Sequence, residues 1–173
     1  LDSRTNMRYL PIQKLIHWLT VALIVSQWWT SAAIYRTHAP NPLGMKPNPV
    51  DLFEHKLHIY TGLFIAVMTV GRFAIRWHYG TPNLPADLNA LNRKIARAVH
   101  IGFYVTLVSL GASGFVTSYI WFGMGIVHQL MVKLLYLLAF FHIGGTIVHV
   151  ASGHADILMR MLPAKWGQEP DSN

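Results

Sequence analysis

Cysteine is absent from the sequence. Without thiols the chain can form no disulfide, no thiolate-bound metal centre and no iron–sulfur cluster, and it cannot carry haem attached through a Cys-x-x-Cys-His motif. The absence therefore limits the cofactor chemistry, and it leaves the cellular compartment open.

Charged residues are scarce as well. They make up 12% of the 173 residues, and hydrophobic residues make up 53%, whereas soluble domains are about 25% charged. This composition indicates a membrane protein with a single domain, residues 1–173. The net charge of +7 would fit nucleic acid in a soluble protein, but basic residues that flank apolar segments more often report membrane topology. We therefore expect the lipid bilayer as a partner, and no nucleic acid.

Acidic residues are missing from every long apolar segment. Proton pumps and proton-coupled transporters usually place carboxylates inside the membrane, so this absence argues against transport. All seven acidic residues lie outside the apolar segments: Asp2, Asp51, Glu54, Asp87, Asp156, Glu169 and Asp171.

Four apolar segments are each long enough to cross a bilayer, which takes about 20 helical residues. They cover approximately residues 12–35, 57–77, 98–121 and 126–151. The sequence thus predicts an all-α membrane protein, a bundle of four transmembrane helices. The first connection is rich in proline, the second ends in a predicted short surface helix, and the third is a tight turn at Gly123 and Gly125.

The distribution of Lys and Arg predicts that both termini are cytoplasmic. More of these residues lie before the first span, around the second connection and after the fourth span than on the opposite side, and positive charge favours the cytoplasmic side. Because the chain starts at Leu1 and not at Met, we expect its true start to lie upstream. A signal peptide is the alternative interpretation of the first segment, although that segment is as long as a full span.

Ten histidines are present, and four of them fall within or at the edges of the spans. His128 and His142 are fourteen residues apart, which in an α-helix is about 40° short of four turns and a rise of about 21 Å. They therefore share a face at opposite leaflets. The predicted topology places His17 at the depth of His142, and His58 at the depth of His128.

Two facing imidazoles at one depth suit a haem with two axial ligands, which favours electron transfer over oxygen binding. Zinc prefers four ligands at one point, and two pairs about 20 Å apart cannot provide them. Structural polar contacts in a haem-free bundle are the remaining alternative. Nearby glycines, Gly62, Gly144 and Gly145, would let a flat ring approach the backbone.

The chain resembles the bacterial cytochrome b561 family over nearly its whole length. The resemblance lies in IHWL at 16–19, HIYTG at 58–62, VGRFAIRWHYGTP at 70–82, HIGFY at 100–104, the His128/His142 pair, and the stretch from HIGGTIVH to LMRMLP at 142–163. It implies a four-helix cytochrome of the bacterial inner membrane that holds two haem b groups and exchanges electrons with ubiquinone or menaquinone. The family's haem ligands correspond to His17, His58, His128 and His142. The short connection at Gly123 departs from members with a long periplasmic segment there.

Other polar residues are candidates for contacts to the haem or the quinone. Arg72 and Lys133 could each bind a haem propionate or the quinone, or their charged ends could instead reach the membrane interface. His100 and His149 could bind a quinone carbonyl or relay protons, or they could join helices by hydrogen bonds. His55 is the rival of His58 as the ligand from the second span.

Two functions follow from these residues and the resemblance. The first is a quinone-linked oxidoreductase that carries electrons across the membrane, with superoxide or a periplasmic redox partner as the donor. The second is the membrane-anchor cytochrome b subunit of a larger dehydrogenase, with the short periplasmic turn as the docking face for a partner subunit.

Overall fold

The computed structural model describes residues 9–38, 46–82 and 89–162, and within these ranges it contains helices and no strand. Four helices are long: α1 (Pro11–His38), α2 (Pro49–Tyr79), α3 (Ala90–Tyr119) and α4 (Gly125–Ala151). A 3₁₀ helix (Phe122–Met124) joins α3 to α4, and a short helix, α5 (Ala155–Met159), follows α4. The all-α prediction is confirmed.

Asparagine side chains cap the starts of two helices. The Asn48 side chain accepts a hydrogen bond from the Val50 amide at 2.9 Å, and Pro49 occupies the first turn of α2. The Asn89 side chain accepts one from the Asn92 amide at 2.8 Å. Each bond satisfies an amide that has no partner within its helix.

The caps lie outside the apolar segments, and this explains two differences from the sequence predictions. Helix α2 begins at Pro49 and not near residue 57, and α3 begins at Ala90. The residues predicted as a short surface helix before the third span are helical, but they form the first turns of α3 and not a separate helix. Apolar patterning marks the stretch suited to lipid, whereas the helix continues into water until its backbone meets a cap.

Three helical segments are long and apolar enough to cross a membrane: Pro49–Tyr79, Ala90–Tyr119 and Phe122–Ala151. Helix α1 is comparable in length at 28 residues. However, its middle carries polar side chains such as Thr20, Gln27 and Thr30, and it is not among these three segments. Length and composition therefore identify three spans and one further long helix.

The long helices pack in chain order, α1 on α2, α2 on α3, and α3 on α4. One end of the bundle holds the starts of α1 and α3, and we call it the N-terminal end. There the Trp18 indole donates a hydrogen bond to the Met161 carbonyl at 2.9 Å, and the Lys14 ammonium donates one to the Leu162 carbonyl at 3.0 Å. The opposite end holds the 3₁₀ helix, and we call it the turn end.

The core of the bundle is small and lies midway between these ends. Ile65, Leu107 and Leu135 are buried together, one from each of α2, α3 and α4. Leu23 and Ile24 of α1 pack against this cluster. Most other large apolar side chains point outward, and Phe140 is 71% exposed. Helices with apolar outer faces need an apolar surrounding such as lipid.

At Gly111 helix α3 packs closely against α2. A Cβ atom at this position would collide with the Cβ of Ala66 and would lie 3.5 Å from the Gly62 carbonyl oxygen. Neither atom belongs to a flexible side chain, so the backbones would have to separate.

Gly111→Ala is therefore expected to destabilise the protein by about 1–3 kcal/mol, the usual cost of overpacking. Thermal unfolding in detergent, followed by far-ultraviolet circular dichroism, measures the effect. Gly71→Ala is the matched control, because no atom lies within 4 Å of its added methyl group. An unchanged melting temperature for Gly111→Ala would show that α2 and α3 are not held this closely.

Candidate functional site

The structure brings His17 of α1 and His142 of α4 together at the N-terminal end of the bundle. Their ring centres are 6.4 Å apart, with an angle of 67° between the ring planes. Helices α1 and α4 are not among the pairs of described helices that pack closely. The two rings therefore approach each other edge-on across a gap between the helices.

This separation fits a metal between the rings. Metal–imidazole bonds of about 2 Å on each side, plus about 1 Å from each bound nitrogen to its ring centre, put two axial rings about 6 Å apart. No atom lies within 4 Å of a Cβ built at Gly144 or Gly145, which follow His142 in α4. The separation of His17 and His142 thus fits two imidazole ligands that would hold one metal ion, such as the iron of a haem.

Two further predicted residues lie at this end. The His100 ring centre is 5.4 Å from that of His142, so His100 is a neighbour of the His17/His142 pair. Arg72 is close enough to interact electrostatically with both members of the pair and with Tyr104. In the described part of the chain no carboxylate forms an ion pair with Arg72.

His149 occupies a different position near the end of α4. Its ring centre is 6.3 Å from that of His154, which is the residue before α5. The sequence analysis named both His100 and His149 as candidates for quinone binding. Of these two, only His100 has a ring contact with His142 among the described residues.

His58 of α2 and His128 of α4 lie toward the turn end. The two side chains are near enough to interact electrostatically. The His58 Nδ1 lies 3.1 Å from the Thr30 hydroxyl of α1, and the His128 Nδ1 lies 3.2 Å from both the Ser113 hydroxyl and the Leu110 carbonyl oxygen of α3. Each ring is thus oriented by a helix other than its own.

These hydrogen bonds determine which nitrogen of each ring is free. A carbonyl oxygen only accepts, so the His128 Nδ1 donates its proton to Leu110. The Thr30 hydroxyl donates its one proton to the Ser26 carbonyl at 2.9 Å, so it accepts from the His58 Nδ1. Both neutral imidazoles therefore keep a lone pair on Nε2, which is the arrangement of histidines that bind metals.

The sequence analysis missed Thr30 and Ser113. Single hydroxyls in apolar helices usually bond to their own backbone, and nothing in the local pattern distinguishes these two from Thr20, which does so at 2.7 Å. Their significance appears only when the helices are placed side by side. Thr30 and Ser113 could have been identified if each inward-facing polar residue had been compared with the histidine at the same predicted depth.

The glycines differ from the prediction in one respect. Gly62 does not face open space, because the Gln27 Oε1 lies 3.4 Å from the position of a Cβ there. The Gln27 amide donates to the His58 carbonyl at 2.9 Å and also to the Thr61 hydroxyl. Gly114 is the glycine next to a histidine, with a Cβ position 3.3 Å from the His128 Cε1.

The remaining candidates lie outside the two pairs. Lys133 is exposed on α4. His55, the rival of His58, bonds to Thr37 and not to Thr30, with its Nδ1 2.8 Å from the Thr37 hydroxyl. Nearby, Arg36 forms ion pairs with Asp51 at 2.7 Å and with Glu54 at 3.1 Å.

A family model described as prokaryotic cytochrome b561 matches residues 8–164. The match covers most of the chain, and the chain belongs to this family. It is accordingly an integral membrane b-type cytochrome that functions in electron transfer and binds haem b.

With His58 as a haem ligand, as the sequence predicts, Thr30→Val should weaken haem binding, because it removes the acceptor that fixes the His58 ring. Changes to groups that orient metal ligands typically cost about 10- to 100-fold in affinity. Haem retained per chain after purification and dilution measures the loss. Thr20→Val is the matched control on the same helix, since its hydroxyl bonds only the Ile16 carbonyl. Equal haem retention by both variants would contradict the assigned role of Thr30.

Proposed function

We propose that the protein is a two-haem b cytochrome of the bacterial inner membrane that carries electrons between a donor and quinone. In this proposal all four long helices span the membrane and both termini are cytoplasmic. The N-terminal end of the bundle then faces the cytoplasm, and the turn end faces the periplasm. Ubiquinone or menaquinone is the exchangeable partner.

The observation that carries the proposal is the presence of two histidine pairs with an apolar core between them. His17 and His142 lie near one end, and His58 and His128 lie toward the other. Ile65, Leu107 and Leu135 lie between the pairs. Helix α1 supplies His17 to one pair and Thr30 to the other, so it is expected to run alongside both sites as the fourth span.

The four histidines would hold haem iron from both faces, His17 and His142 at the N-terminal end and His58 and His128 at the turn end. Haem b supplies reversible one-electron oxidation and reduction. Two histidine ligands leave no open coordination position, and this favours electron transfer over oxygen binding. Arg72, which lacks a carboxylate partner in the described ranges, is suited to bind a propionate or a quinone oxygen.

The quinone is proposed to react at the N-terminal end, where His100 lies next to His142. A neutral imidazole can donate a hydrogen bond from its ring N–H to a quinone carbonyl. Arg72 would place a positive charge beside the quinone. His149, which lies beside His154, would extend the path for protons toward water. The donor, superoxide or a redox partner, is proposed to react at the turn end.

Replacement of one ligand in each pair tests the assignment. His128→Ala is expected to lose the haem at the turn end, and His142→Ala the haem at the N-terminal end, so that each variant keeps one of two haems per chain. Pyridine haemochrome quantitation and reduced-minus-oxidised absorption spectra measure this. Loss of both haems from a variant whose helix content and melting behaviour are unchanged would contradict two independent sites.

The alternative is a membrane-anchor subunit of a larger dehydrogenase. It is favoured by the short connection at the turn end, where Trp121 is 62% exposed and Phe122 is 72% exposed. Aromatic side chains of this kind are enriched at protein interfaces. Purification from mildly solubilised membranes separates the two functions: a soluble subunit at constant stoichiometry supports the anchor, and a lone cytochrome that quinol reduces supports the first proposal.

A further inference from the structure

A third pair of histidines lies at the turn end, outside both proposed haem sites. His38 is the last residue of α1, and His55 lies in the second turn of α2. Their ring centres are 5.0 Å apart, with 57° between the ring planes. The His38 ring also lies 5.9 Å from the Phe122 ring of the 3₁₀ helix. Three parts of the fold therefore meet around these two imidazoles.

The hydrogen bonds of this pair again leave Nε2 as the free nitrogen. The His38 Nδ1 lies 2.9 Å from the Ile34 carbonyl oxygen, and it must donate there because a carbonyl only accepts. The Thr37 hydroxyl gives its proton to the Ala33 carbonyl at 2.9 Å. It therefore accepts from the His55 Nδ1, which lies at 2.8 Å. Each ring keeps a lone pair on Nε2.

The ring separation distinguishes this pair from the pair formed by His17 and His142. By the bond lengths used above, rings on opposite sides of a metal have centres about 6 Å apart, and rings on neighbouring tetrahedral positions of one ion have centres about 5 Å apart. The first pair is at 6.4 Å and the present pair is at 5.0 Å. The His38/His55 pair thus has the spacing of two adjacent ligands of a single ion and not of an axial pair.

The charged residues around the pair would not repel a metal ion, and the described residues do not provide a third ligand. Arg36 is neutralised by ion pairs with Asp51 and Glu54, and Lys56 follows directly after His55. The charges of these four residues sum to zero. Within residues 9–38, 46–82 and 89–162 no three histidine, cysteine or acidic side chains are grouped to hold a metal. The protein supplies two ligands, and water would fill the other positions.

The site is open to the outside. His38 is exposed and His55 is half-buried. His55 also lines a surface cleft of about 260 Å³, together with Ile59, Tyr60 and Tyr119. An ion could therefore reach the pair without passing through the helix bundle.

We propose that His38 and His55 bind one divalent late transition-metal ion, with Thr37 as the positioning residue. Neutral imidazole ligands favour copper and zinc among the common metals, and affinities for one set of ligands rise to a maximum at Cu²⁺. The site is separate from haem binding, because it uses neither member of either proposed haem pair.

The test is a titration of the oxidised, haem-loaded protein with Cu²⁺ and, separately, with Zn²⁺, on protein purified without a polyhistidine tag. Calorimetry is expected to give one site per chain. Electron paramagnetic resonance of the Cu²⁺ complex should show coupling to two imidazole nitrogens. Absence of stoichiometric binding, or coupling to one nitrogen only, would overturn the proposal.

Variants locate the site. His38→Ala and His55→Ala should each weaken binding at least tenfold. Thr37→Val should weaken it by roughly 10- to 100-fold, as expected for a group that orients a metal ligand, and Thr37→Ser should restore it. His78→Ala is the matched control at the other end of α2 and should bind as the unmodified protein does. Unchanged binding by His38→Ala with normal haem content, or equal weakening by His78→Ala, would refute the assignment.

Discussion

A neutral imidazole inside an apolar bundle needs a partner for each of its two nitrogens, and this requirement organises the interior of the protein. His58 and His128 each donate a hydrogen bond from Nδ1 to a neighbouring helix, His58 to Thr30 and His128 to Leu110. What remains is one lone pair per ring, directed away from the hydrogen bond. Buried polar atoms without partners are costly, so a ligand that accepts these lone pairs would stabilise the fold as well as supply its chemistry.

The small core follows from the same constraint. Only a few apolar residues from α2, α3 and α4 are buried together, because much of the space between the helices is bordered by histidines, hydroxyls and glycines. In a soluble bundle so small a core would be unstable. Here the outward faces are apolar and lipid covers them, so the interior can be given over to a cofactor. Helix α4 contributes to both histidine pairs, and its position therefore fixes the distance between them.

Much of this could be predicted from the sequence, for a simple reason. The fourteen-residue spacing of His128 and His142 is a property of any α-helix, so their shared face and opposite depths follow without a structure. The partner at one end also follows, because short connections make the helices antiparallel and bring His17 to the depth of His142. The helix starts at Pro49 and Ala90 were less predictable, since the side-chain caps that set them lie outside the apolar pattern.

Contacts between helices were not predictable in the same way. In the sequence, Thr30, Ser113 and Gln27 cannot be told apart from hydroxyl and amide residues that bond only within their own helix. Rotation of one helix by a single residue would bring other side chains into these contacts. The 5.0 Å approach of His38 to His55 depends likewise on how α1 leaves the bundle.

Low-temperature electron paramagnetic resonance of the oxidised holoprotein tests the central claim most directly. If each haem iron is held by two histidines, the spectrum will contain two low-spin ferric signals in equal amounts, and a high-spin signal, or a single low-spin signal, would contradict the account.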